Sequence, residues 1–142
     1  TYRADKDIRD ELRTFGITVN KANCSSYGQT NCTSFDNLPE SAVRGIEKFK
    51  TQCEIYNKCG GGNCGICNVV ITGGTEAGHQ THGHGESILD IRYEDVDLTN
   101  YIISSAYNKI LTKDGYVYQT SLGNFLLENN DPNNTHWHIN FR

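Results

Sequence analysis

The stretch HWHINF, residues 136–141, alternates polar and apolar side chains without a break. Period-two alternation belongs to a β-strand with one buried face, because successive side chains point to opposite sides of the backbone. Trp137, Ile139 and Phe141 then face a core, while His136, His138 and Asn140 share the other side. Residues two apart on one strand face stand roughly 6–7 Å apart, from a rise of about 3.3 Å per residue. Two imidazoles so placed can share a metal ion, or divide their work between metal and substrate. A half-buried strand also needs strand partners, so a sheet is required.

Its partners lie upstream. ILDIRYEDV, 88–96, alternates Ile and Leu with polar residues, and ICNVVIT, 66–72, is a short β-branched run; both read as strands. KDGYVYQT, 113–120, is a DG turn followed by a strand, and GNFLLE, 123–128, fits a strand or a short helix. Helical spacing marks three other segments. In ADKDIRDELRTFG, 4–16, Ile8, Leu12 and Phe15 recur at helical intervals before Gly16. LPESAVRGIEKFKTQC, 38–53, starts with Pro39 near its first turn and carries Val43, Ile46 and Phe49 on one face. DLTNYIISSAYNKIL, 97–111, is the third helix, with Asp97 or Thr99 as its N-cap. ITVNKA, 17–22, is short and extended. The expected class is α+β: a small antiparallel sheet carrying the histidines, flanked by three helices, with a disulfide-rich loop insertion.

A chain of 142 residues suits one domain over 1–142, with residues 24–67 as cysteine-rich loops. Thirteen basic and seventeen acidic residues give a formal charge of −4, which does not favour nucleic acid or an anionic membrane surface. The longest apolar runs are too short for a membrane span. The sequence begins at Thr1 and contains no methionine, as expected of a processed product or an excised domain.

All six cysteines, Cys24, Cys32, Cys53, Cys59, Cys64 and Cys67, lie in the first half in Asn/Gly/Ser-rich sequence. An even number in such a setting reads as disulfides formed in an oxidising compartment. Proximity pairs Cys24 with Cys32 and leaves the other four to staple residues 53–67. The competing reading is a zinc knuckle around the CGIC of 64–67. NCS at 23–25, NCT at 31–33 and NNT at 133–135 fit the N-glycosylation pattern, which arises easily in an Asn-rich chain.

Three of the five histidines, His79, His82 and His84, crowd GHQTHGHGESILDIRY, 78–93, just ahead of Asp90 on a strand. A catalytic zinc takes three nitrogen or oxygen ligands and keeps a fourth position for water. Two histidines and a carboxylate satisfy this. A flexible polar turn explains the glycines of the stretch but not the density of histidine.

The succession of VVITGGTE (69–76), THGHGESILDI (81–91), a helix, a hairpin and a closing HWHI (136–139) resembles the LAS zinc peptidases. That superfamily takes in lysostaphin-type endopeptidases, D-alanyl-D-alanine metallopeptidases and the hedgehog signalling domain. The resemblance is closest to the D-Ala-D-Ala carboxypeptidase branch and covers residues 66–142. It implies a single LAS-like peptidase domain that binds zinc through His82, Asp90 and His138, with His84 as rival to His82. His136 would lie beside the metal water or the scissile carbonyl as a catalytic residue. The implied substrate is a peptide bond in the peptidoglycan stem or cross-bridge, and the implied location is extracytoplasmic (secreted, periplasmic or cell-surface). The chain departs from the pattern in places. The interval from His82 to Asp90 is one residue longer than the family's and that from His84 one shorter, so a bulge is expected in GHGES. Glu76 replaces the substrate-holding arginine, and Thr135 replaces the glutamate that serves that branch as general base; Glu128 and Asp131 are the nearest acids upstream. These replacements leave open a non-catalytic LAS-like extracellular module, binding or structural, that keeps the fold, with or without the metal.

Overall fold

The computed structural model describes residues 3–26, 29, 31–58, 66–76, 85–129 and 135–142. In chain order the elements are α1 (Asp5–Thr14), β1 (Thr18–Val19), α2 (Glu40–Tyr56), β2 (Val70–Gly73), β3 (Ile88–Arg92) and α3 (Val96–Ser105). They continue with β4 (Asn108–Thr112), β5 (Gly115–Gln119), β6 (Gly123–Glu128) and β7 (His136–Phe141). The fold is α+β with three helices, as the residue patterns indicate.

The sheet is larger than expected and is not purely antiparallel. Seven strands run in the order β1-β2-β3-β7-β6-β5-β4. β1 pairs parallel to β2, Thr18 opposite Val70 and Val19 opposite Ile71. The reason lies in the connection: β1 and β2 are joined through α2, and a helical crossover is what delivers a strand parallel to its neighbour. The remaining ladders are antiparallel.

The third helix also differs from expectation. Its cap is Asp95, whose Oδ1 accepts from the backbone N–H groups of Asp97 (2.9 Å) and Leu98 (3.3 Å), and it ends at Ser105. NKIL, expected as the end of this helix, belongs to β4, which forms a hairpin with β5 across the turn before Gly115. GNFLLE is a strand, β6.

One face of the sheet is the core. Leu89 and Ile91 from β3, Phe125 from β6, and Trp137, Ile139 and Phe141 from β7 meet Ile8 and Leu12 of α1, Val43, Ile46 and Phe49 of α2, and Leu98 and Ile102 of α3. Removing this much aliphatic and aromatic surface from water supplies most of the driving force for the fold. α2 approaches β7 closely at Gly45, where a Cβ would lie 2.3 Å from the Phe141 ring, so the contact tolerates no side chain.

Buried charges tie the irregular segments to this frame. The Asp5 carboxylate accepts from the backbone N–H of Phe35 (2.7 Å) and from Arg9 (3.0 and 3.1 Å), while Arg9 also donates to the Thr33 carbonyl. Among the described residues two disulfides close loops, Cys24–Cys32 and Cys53–Cys67. The first is the pairing that proximity indicates, and the second engages two members of the 53–67 group. Both Cys53 and Cys67 are thereby withdrawn from a zinc knuckle; Cys59 and Cys64 lie outside the described residues. No helix among the described residues is long and apolar enough to cross a membrane.

Candidate functional site

The face of the sheet opposite the core carries a cluster of ionisable groups. Alternation along β7 sets His136 and His138 on this face because Trp137 and Ile139 are committed to the other. In the β3–β7 ladder Asp90 stands directly opposite His138, and in the β6–β7 ladder Glu128 stands opposite His136. Cross-strand partners share a face, so four ionisable side chains from three adjacent strands converge.

Their contacts are short. His138 Nδ1 lies 3.1 Å from Asp90 Oδ1 and 3.2 Å from Glu128 Oε1. His136 Nε2 lies 3.5 Å from Asp90 Oδ2 and 3.8 Å from Glu128 Oε2. Asp90 is only 4% exposed. A buried carboxylate needs charge or hydrogen-bond compensation, and the two imidazoles supply part of it.

The backbone opposite Asp90 is adapted to it. Gly73 of β2 pairs with Asp90, and a Cβ at Gly73 would fall 2.7 Å from Asp90 Oδ2. The carboxylate therefore occupies space that any other residue at position 73 would fill. The register of β2 against β3 shifts between Ile71 and Gly73. Of the GHGES segment in which a bulge was expected, His84 and the residue before it lie outside the described residues.

The Asp90–His138 edge has a spacing near that of two donors on one tetrahedral ion. Two donors bound at 2.0–2.2 Å to a tetrahedral zinc are ~3.3 Å apart, close to the 3.1 Å between Asp90 Oδ1 and His138 Nδ1. Among the described residues, however, no group of three or more His, Cys, Asp or Glu side chains is arranged to hold a metal ion. His82, its rival His84, and His79 lie outside the described residues, as does Asp131. Of the sequence-derived candidates, then, the structure brings together Asp90, His136 and His138.

Of the two upstream acids, Glu128 lies among the described residues and joins them. The signal for it was its period-two spacing from Leu126 in GNFLLE, concealed by the helix-or-strand ambiguity of that segment.

Glu76 has a different occupation. It is buried, and its Oε1 accepts from the backbone N–H groups of Ser34 (3.0 Å) and Gly74 (2.9 Å), with a further bond from Gly74 to Oε2 (3.1 Å). Thr75 reinforces the same junction by donating its N–H to the Ser34 carbonyl at 2.7 Å. The carboxylate thus clamps the turn after β2 to the 33–36 loop.

No family model, curated protein or solved structure matches the chain.

Proposed function

We propose that the chain is a zinc-dependent peptidase acting on peptide bonds of the peptidoglycan stem or cross-bridge, in an extracytoplasmic setting. The observation that carries the reading is the Asp90–His138 pair, 3.1 Å apart on the non-core face, with His136 and Glu128 beside it. Asp90, His138 and either His82 or His84 would hold the ion. When bound, zinc supplies an acidified water and polarises a carbonyl. The chain's own groups do the rest. Asp90, held between β2 and β7, fixes the direction of its donor oxygen. Glu128 accepts a proton from the attacking water, and His136 donates a hydrogen bond to the oxyanion or passes the proton on to the departing amine. The water oxygen bonds to the carbonyl carbon, the C–N bond breaks, and the amine leaves with the transferred proton. The two disulfides support the oxidising location.

One observation favours the second reading, a non-catalytic module with the same fold: Glu76, an acid where the family has a substrate-holding arginine, accepts hydrogen bonds from backbone amides. Metal content and turnover separate the two. The full chain, dialysed against zinc and analysed by elemental mass spectrometry, is expected to retain one ion per chain, and to lose it in Asp90→Asn and His138→Ala variants that still fold. Muropeptides should be hydrolysed, and chelation should stop the reaction. A zinc-loaded chain inert on every muropeptide would replace the peptidase with the binding module; a chain that retains no zinc would remove both metal readings.

A further inference from the structure

The ladders align a row of residues straight across the non-core face. Ile110 pairs with Val117, Val117 with Leu126, Leu126 with His138, and His138 with Asp90. At the strand spacing of roughly 4.8 Å, Leu126 is the immediate neighbour of His138, and Ile110 stands about 14 Å away. None of the three aliphatic side chains belongs to the core. Ile110 is 42% exposed, and Val117 and Leu126 are half-buried.

Among the described residues, the ladder positions flanking this row carry no charge up to Glu128. The row on one side consists of Asn108, Gln119, Asn124 and Asn140, with Asn108 Nδ2 donating to Gln119 Oε1 at 2.9 Å. On the other side stand Thr112 and Gly115, and charge begins at Glu128 and continues past His136 to Arg92. Lys109, the cation within β4, is turned to the opposite face over the rings of Tyr116 and Tyr118, 4.1 and 5.5 Å from their centroids.

We propose that Ile110, Val117 and Leu126 form a shelf that receives the small aliphatic side chains of an uncharged peptide segment lying beside Asp90 and His138. The shelf would determine specificity: alanine-like or valine-like side chains gain burial there, whereas a charged side chain would meet no partner and lose hydration. The surrounding amides leave hydrogen bonds for the peptide backbone without selecting charge. Continuity with the ionisable cluster identifies the occupant as substrate, because Leu126 and His138 are neighbours in one ladder. This proposal rests on the peptidase reading of the same site.

The test reads binding as well as turnover. The full chain with labelled Ile, Leu and Val methyl groups is titrated with acetyl-tetra-alanine amide and with an acetylated, amidated tetrapeptide of alternating Lys and Asp. The alanine peptide is expected to shift the methyl signals of Ile110, Val117 and Leu126 together and saturably, and to bind more tightly than the charged peptide. Leu126→Asp and Val117→Asn, each checked for an unchanged fold by circular dichroism, should weaken alanine-peptide binding by about tenfold. Equal binding of both peptides, shifts confined to other methyls, or unaltered affinity in both variants would overturn the shelf. Binding at these methyls by a zinc-loaded chain that cleaves nothing would retain the shelf and remove the peptidase. Cleavage with a side-chain preference unmoved by Leu126→Asp would do the reverse.

Discussion

Glu128 and His138 are not ladder partners, yet Glu128 Oε1 reaches His138 Nδ1 at 3.2 Å by crossing diagonally from the position opposite His136. The contact brings a second carboxylate to the same ring nitrogen that Asp90 approaches at 3.1 Å. If Asp90 is the ligand and Glu128 the base, the two carboxylates can be separated by experiment. Glu128→Gln should keep zinc while lowering kcat by about 10²–10⁴-fold, the usual range for a lost general base. Asp90→Asn should lose the metal. Equal zinc loss in both variants would make Glu128 a ligand.

Gly73→Ala tests whether the Asp90 carboxylate has any freedom. The new methyl would meet Oδ2 at 2.7 Å, so either the carboxylate rotates away from the histidines or β2 shifts. The expected result is a loss of about 1–3 kcal/mol in urea unfolding together with weakened zinc retention. Wild-type stability with wild-type zinc content would show that the close approach has no consequence.

The Cys53–Cys67 bond clamps the end of α2 to the segment entering β2, across a separation of 14 residues. Chain-entropy arguments put such a closure at about 3 kcal/mol, a few tenths more than the shorter Cys24–Cys32 loop. Cys53→Ala with Cys67→Ala should lower the denaturation midpoint accordingly. Lys50, which donates to the Cys67 carbonyl, and Glu54, which accepts from the Cys67 N–H at 3.2 Å, should hold the junction near its native place. Amide exchange at Cys67 and its neighbours would report whether they do.

A second pair of carboxylates sets an acid-side stability optimum. Arg44 Nη1 bridges Glu11 (2.9 Å) and Glu47 (3.0 Å). Burial, then the hydrogen bond that protonated Glu47 donates to the Glu11 carboxylate, pushes Glu47 up to about 7 from 4.5, while the same bond, then that from Arg3, brings Glu11 down to about 2. Glu47 therefore contributes stability that is complete below about pH 4.5 and lost as pH rises through 7. Glu11 contributes stability present above 4.5 and lost as pH falls towards 2. Denaturant midpoints should peak near pH 5 and fall towards pH 8, and Glu47→Gln should flatten the upper limb. A midpoint constant between pH 5 and 8 in the wild-type chain would contradict this.

Much of the frame was legible because its signals are local. HWHINF and ILDIR alternate, so their faces, and with them the shared side of Asp90, His136 and His138, follow from the backbone period. β1 was legible only as an extended segment; its parallel pairing depends on the α2 crossover, which no local period encodes. The end of α3 was misplaced because Ile110 and Leu111 suit a helix face as well as a strand, and the pairing with β5 decided between them. Glu128 could be narrowed to one of two acids but not chosen, since a diagonal contact depends on ladder register. Glu76 illustrates the converse: an acid at a position of family interest binds two backbone amides forty residues apart in sequence.

The two cross-links among the described residues also limit how far the molecule can be drawn out. Pulled from its ends with both bonds intact, the chain cannot release the stretches they enclose, spanning separations of 8 and 14 residues. At about 3.6 Å per extended residue, the fully stretched thread should be roughly 70 Å shorter than its reduced counterpart. A chain under tension would thus yield less length before its core gives way, and a reducing agent would appear in a force trace as added slack.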